Sequence, residues 1–382
     1  MDRIYLDHAA TTPLSQKAFA AMKPYFTDVF GNPNSQHVFG REGAKAVNDA
    51  RQLLANCIGA KPSEIYFTSC GTEADNWAVK GTALQNIAKG KHIITSVIEH
   101  PAIYTTCKQL EKYGWEVTYL PVDNEGFVSP EDLEKAIRPD TVLVSIMFAN
   151  NEIGTVEPIQ ELCKIAHKHD VLFHTDAVQA TGAIKYDVKE LGVDMLSMSA
   201  HKFYGPKGMG MLYVRNGIRI EKFLTGGEQE RAHRGGTTNV PGVVGMATAL
   251  DEALQTIEED DKYVASLRDH FVERVLNEID DIYYNGAKDT TKRLPNNANF
   301  SFRYIEGESI LFSLDLAGIS ASSGSLEPSR TLLAIGVPVG TAHGSIRFTF
   351  GKHNTMEEVD YTVDELVKIV KRLRDMSPLY KK

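Results

Sequence analysis

Lys202 sits in Ser197-Met198-Ser199-Ala200-His201-Lys202-Phe203-Tyr204-Gly205-Pro206, where an apolar run gives way to a Gly/Pro-rich turn. A lysine at such a strand end can leave water, lose its proton more readily and form a Schiff base with an aldehyde. Upstream, the apolar run Val171-Leu172-Phe173-His174-Thr175 ends in Asp176. A carboxylate there suits the protonated ring nitrogen of pyridoxal phosphate, and Gln179 is placed to reach the ring oxygen. A third run, Phe67-Thr68, passes through Ser69-Cys70-Gly71-Thr72 into a helical stretch. Free N–H groups and the helix dipole make that turn a phosphate site, with Gly71 allowing close approach and Thr72 offering a hydroxyl. His100 follows the run Ile93 to Ser96, where it can stack on a planar group and shuttle protons. Asn151 follows the run Thr141 to Met147 and adds an amide donor.

Each position has an ordinary alternative: a solvated loop lysine, a helix-capping acid, a common turn, a surface histidine, a turn asparagine. What favours the chemical reading is convergence, since Thr72, His100, Asn151, Asp176 and Lys202 all follow successive strands.

The elements that must position these residues follow from hydrophobic patterning. Seven short β-rich runs lie between residues 65 and 214: Ile65–Thr68, His92–Ser96, Val117–Leu120, Thr141–Met147, Val171–Thr175, Met195–Met198 and Met211–Val214. Helix-like stretches such as Ala102–Tyr113 and Ile159–His169 separate several of them. This alternation predicts an α/β fold with a mostly parallel sheet and helices on both faces, its site beyond the carboxyl ends of the strands. A long helical stretch, Val243–Leu276, comes next. Strand-like Asn299–Phe302 and Ser345–Phe350 and a closing helix over Met356–Leu373 then predict a smaller α+β domain. We expect a large domain over 16–259 and a small one formed by 260–382 together with 1–15.

Composition narrows the functional class. The 382 residues are 42% hydrophobic and 24% charged with a net charge of −9, which favours neither nucleic acid nor an anionic membrane as partner. No apolar run approaches the roughly 18 residues of a membrane span, and the N-terminus lacks a signal-peptide pattern. The four cysteines, Cys57, Cys70, Cys107 and Cys163, form no CxxC pair. That argues against a zinc site or disulfide framework, so no metal is expected, and it suits a reducing cytoplasm.

The chain resembles the cysteine desulfurases of the NifS/IscS type, class-V aminotransferases of PLP fold-type I. The likeness runs through Tyr5-Leu6-Asp7-His8-Ala9-Ala10-Thr11-Thr12, Gly31-Asn32-Pro33-Asn34-Ser35, Glu99-His100, Asn150-Asn151-Glu152-Ile153-Gly154, His174-Thr175-Asp176-Ala177-Val178-Gln179, Ser199-Ala200-His201-Lys202, Gly226-Gly227-Glu228-Gln229-Glu230-Arg231 and Ser345-Ile346-Arg347-Phe348. By that resemblance Lys202 carries the cofactor, Asp176 pairs with its pyridine nitrogen, and Gln179 and Asn151 bond its ring oxygen. His100 stacks on the ring and moves protons, while Gly71, Thr72, Ser199 and His201 hold the phosphate. Thr237 is implied to reach the phosphate of a neighbouring subunit in a homodimer, and Arg347 with Asn151 to grip the substrate carboxylate. The implied reaction turns L-cysteine into L-alanine and passes sulfur, as a persulfide, toward an acceptor such as an iron–sulfur scaffold or a tRNA-thiolation enzyme.

One departure stands out. The family's loop runs from Ser-Ser-Gly-Ser through a short cysteine-bearing stretch to Leu-Glu-Pro-Ser. Here Ser322-Ser323-Gly324-Ser325 joins Leu326-Glu327-Pro328-Ser329 directly. Omission from the sequence as read, engineered excision and natural loss all stay open. So do two other functions: a selenocysteine lyase or related β-eliminating enzyme, and a non-catalytic PLP-binding partner in a sulfur-transfer complex.

Overall fold

The computed structural model describes residues 3–323 and 329–380. A seven-stranded sheet forms from β1 (Ile65–Thr68), β2 (His92–Ser96), β3 (Glu116–Leu120), β4 (Thr141–Ser145), β5 (Leu172–Asp176), β6 (Met195–Ser199) and β7 (Gly210–Val214), in the order β1-β7-β6-β5-β4-β2-β3. Pairings among β2 to β6 are all parallel, and only β7 runs against its neighbours β1 and β6. Six carboxyl ends therefore share one edge. The seven strands coincide with the seven apolar runs of the sequence to within two residues at either end.

Alternate side chains of these strands enter two different cores. Ile94, Val144 and Leu196 join a cluster on one face, whereas Ile93, Leu143 and Met195 join another on the opposite face. A parallel sheet covered on both sides needs both periods apolar, which is why these strands read as continuous hydrophobic runs. Helix α1 (Val38–Cys57) packs on the first face; α2 (Gly71–Gln85) and α3 (Pro101–Glu111) cover the second. Helix α4 (Ile159–Lys168) returns to the first face.

Helix α5 (Val240–Glu278) is unbroken through residue 260, where the sequence changes character. Its first half puts Val243, Met246 and Leu250 into the sheet core. Its second half puts Leu267, Phe271 and Val275 into a separate core with Phe300, Phe348 and Phe350. That second core is built on an antiparallel sheet of β8 (Ile282–Asn285), β9 (Asn297–Phe302) and β10 (Ser345–Thr349); the short α6 (Arg330–Ala334) lies in the chain between β9 and β10, and α7 (Met356–Met376) closes it. Strand β8 has no counterpart in the sequence reading. Ile4 and Leu6 also lie in the second core, and Ile4–Tyr5 pairs in parallel with Ile319–Ser320. Among the described residues no helix is long and apolar enough to cross a membrane.

A left-handed turn is fastened to α1 and β1. Glu230, Arg231 and Ala232 take φ of 47°, 57° and 63°, a conformation that costs energy in residues with a Cβ. Three contacts hold the turn: Glu230 accepts two hydrogen bonds from Arg51, at 2.7 and 2.8 Å, and one from the Phe67 N–H. Both side chains of the ion pair are nearly buried. Glu230→Ala should strand the Arg51 charge and cost about 3–5 kcal/mol. A urea unfolding curve checks this through its midpoint.

Candidate active site

The residues singled out at the strand ends meet. Gly71, Thr72, His100, Asn151, Asp176, Gln179, Ser199, His201, Lys202 and Arg347 all line one cavity of about 350 Å³. Thr237 does not; it lines a separate space of about 200 Å³ with Thr68, Ser69 and Arg234.

Helix α2 supplies one end of the cavity. Cys70 caps it, its sulfur accepting the Glu73 N–H at 3.4 Å. At Gly71 a Cβ would come within 2.7 Å of Val178, so a larger residue would push into the turn that follows β5. Ser199 and His201, from the end of β6 and the turn beyond, face the same end. His201 Nδ1 lies 3.1 Å from the Thr11 hydroxyl, and burial and Lys202 push its pKa down to about 4. A neutral imidazole and hydroxyls beside a helix N-terminus form a hydrogen-bonding cradle for an anion.

The opposite end is acidic. Asp176 closes β5, is 5% exposed, and accepts the Val178 N–H at 2.9 Å. Burial pushes its carboxyl above the usual range. His100 is the N-cap of α3, where its Nδ1 accepts the Ala102 N–H at 3.1 Å. Burial also lowers its pKa, so the ring is neutral and its remaining proton sits on Nε2.

Between these ends, Lys202 Nζ bonds the carbonyls of Ala9 and Ala10. Burial first, then the nearby Arg347 charge, lowers its pKa to about 8, against the opposing pull of Asp176 and Asp7. Roughly a tenth of this lysine is therefore an amine at pH 7, far more than of an ordinary lysine, and the amine is the form that attacks an aldehyde. Gln179 Nε2 donates to the same Ala9 carbonyl at 3.0 Å. Arg347 comes from β10, in the second core, and donates to the Asn151 carbonyl, Asp7 and Ser322 at 2.8–3.0 Å. Its Nε is buried without a partner among the described residues.

An anion cradle, a reactive amine and a buried carboxylate at the far end fit pyridoxal phosphate. The orphaned Arg347 Nε gives the same cavity a donor for a second, anionic ligand.

Comparison with known proteins agrees with this geometry. The family model described as Aminotransferase class-V matches residues 4–362. The chain belongs to the class-V aminotransferase family. A protein of Dictyoglomus turgidum named cysteine desulfurase IscS is 55% identical, across 98% of this chain and 96% of its own. A solved NifS-like protein superposes with a TM-score of 0.92 at 40% identity, covering 97% of this chain and 100% of its own. A structure titled SspA in complex with cysteine gives 0.80 at 34% identity, covering 92% and 100%.

Sequence reasoning assigned no role to four contributors. Asp7 and the Ala9 and Ala10 carbonyls sit in a quoted N-terminal motif whose position over Lys202 depends on the distant β10. Asp75 left a fainter trace, as an acid on the face of α2 that also carries Ala74 and Ala78.

Condensation of Lys202 with pyridoxal, trapped by borohydride and located by peptide mass spectrometry, should rise as pH passes up through about 8. Lys202→Arg should abolish the labelled peptide.

Proposed function

We propose that this chain is a pyridoxal-phosphate-dependent cysteine desulfurase that converts L-cysteine to L-alanine and passes on the sulfur. The observation carrying this reading is the meeting of Lys202, Asp176, His100 and the α2 N-terminus in one cavity that Arg347 enters from the other core. When bound, the cofactor supplies an electron sink conjugated to the substrate amine.

Gly71, Thr72, Ser199 and His201 would hold its phosphate, joined by Thr237 of a second copy in a homodimer. Asp176 would pair with the pyridine nitrogen, Gln179 and Asn151 would bond the ring oxygen, and His100 would lie against the ring face. Arg347, with Asn151, would take the substrate carboxylate; its planar donor fork suits that group. The carboxylate then competes with Asp7, 2.9 Å from Arg347 Nη2. Lys202, already close to losing its proton, takes the α-proton and returns it. His100 would offer its Nε2 proton to the β-carbon, which exchanges its bond to sulfur for one to hydrogen.

The sulfur acceptor sets a second reading beside the first. Desulfuration to alanine needs a thiolate to take the sulfur. The family's loop falls on Ser322–Ser329, of which residues 324–328 lie outside the described residues, and this stretch contains no cysteine. Cys107 and Cys163 are buried, burial pushes the Cys57 thiol up to about 12, and the Cys70 sulfur caps α2. Of the four, only Cys70 lines the cavity, at the turn that opens α2. This placement favours β-elimination, on cysteine or selenocysteine, as the alternative. We place the protein in the cytoplasm, with an iron–sulfur scaffold or a tRNA-thiolation enzyme as acceptor.

The deciding experiment incubates the cofactor-loaded protein with L-cysteine, with and without added dithiothreitol, and measures alanine, pyruvate and sulfide. Alanine that appears with the thiol supports the desulfurase. Pyruvate and sulfide in equal amounts, without alanine, would replace it with an eliminating enzyme. Bound cofactor with no product from cysteine or selenocysteine would leave a non-catalytic partner.

A further inference from the structure

Asp75 is a carboxylate to which the reading above gives no task. It lies on α2 one turn beyond Gly71, is 1% exposed, and yet lines the cofactor cavity. Its Oδ1 has no hydrogen-bond partner among the described residues. An ionised oxygen left bare in that setting is costly, so either a cation or a proton must accompany it.

The groups that face Asp75 can be taken element by element. From β5 come Asp176 and His174, from β6 Ser197, from the link between β2 and α3 Glu99 and His100, and from its own turn Cys70. His174 Nε2 is 3.8 Å from Oδ1 but is engaged elsewhere: Nε2 lies 2.9 Å from the Ser197 hydroxyl and Nδ1 2.9 Å from that of Ser145. Burial drives the His174 pKa down to about 3, so this ring is no cation. Glu99 is itself buried and held up at about 8. An oxygen of Asp75, an oxygen of Asp176 and a ring nitrogen of His100 all lie within 4.8 Å of one another.

Two carboxyl groups that close in a dry pocket share one charge between them. The hydrogen bonds decide where it rests. Asp176 accepts a backbone N–H and is drawn toward ionisation by the Lys202 charge. Asp75 accepts a bond from Ser197 but keeps the orphaned Oδ1, and is pushed up further, by burial first and by Asp176 second.

We propose that Asp75 is a positioning residue for the cofactor: it carries the proton of the pair, leaving Asp176 ionised and free to bind the pyridine nitrogen. The proposal rests on the cofactor reading above. In these terms Asp75 works as a neutral, polar wall behind Asp176, and an amide of the same shape should serve as well.

The test uses the full-length protein stripped of cofactor and titrated with pyridoxal phosphate, followed by tryptophan fluorescence. The pH dependence of the bound cofactor's visible absorption is recorded alongside. Asp75→Asn should stay within about threefold of the wild-type affinity and keep the same pH profile. Asp75→Leu removes a buried polar partner, so affinity should fall about tenfold or more and the absorption profile should shift in pH. If the leucine variant does not fold, judged by circular dichroism, Asp75→Ala takes its place. Equal losses in the asparagine and apolar variants would show that a charge at Asp75 is needed, and would overturn the proposal. An apolar variant with wild-type affinity and profile would overturn it too. A wild-type chain that takes up no cofactor would instead bring down the reading beneath it.

Discussion

An ammonium group removed from water costs several kcal/mol unless something replaces its hydration. Lys202 meets that constraint twice over, by bonding the Ala9 and Ala10 carbonyls and by giving up its proton near pH 8. The rest of the arrangement follows. Those carbonyls must be held over the end of β6, so the N-terminal segment has to be anchored at both sides. Ile4 and Leu6 root it in the second core, and Thr12 accepts and donates hydrogen bonds around His201 and Tyr204. Asp7, between these anchors, is the residue that meets Arg347. The cavity is thus a seam between two cores, closed by a strand that belongs to one and serves the other.

The electrostatics of the seam are lopsided. Asp75, Asp176 and Glu99 are all buried at the carboxyl edge, and in each case burial is the main cause of a raised pKa. Lys202 and Arg347 line the same cavity. A ligand with a basic ring nitrogen at one end and a phosphate at the other matches this polarity along its length. The helix N-terminus of α2 supplies the positive end without a charged side chain. Carboxylates packed this densely are tolerable only if some of them stay protonated.

Much of this was legible beforehand, for definite reasons. Strands buried on both faces have little freedom in composition, so all seven of the large sheet stood out as apolar runs, and the chemical residues were found by looking where those runs end. Strand β8 escaped because Ile282–Asn285 is short, exposes Tyr283 between two partly buried neighbours, and ends in an asparagine. Asp7 and Asp75 escaped for another reason. Their surroundings are made by chain segments far away in sequence, and a lone acid in an apolar pattern does not say what will face it. Thr237 was named through resemblance, and within one chain it lies apart from the cavity. The left-handed turn at Glu230–Ala232 breaks local preference and is recognisable only once Arg51 is seen to hold it.

Helix α5 gives the seam a further property. The two cores meet at a span set by one continuous rod, because Val240–Glu278 is rooted in both. No hinge exists where the composition changes, near residue 260, since bending there would break main-chain hydrogen bonds of the helix. Arg347 and Lys202 therefore reach one cavity from two cores whose spacing this helix ties together. The room a ligand finds at the seam is thus set by the helix that roots both cores rather than by any one side chain.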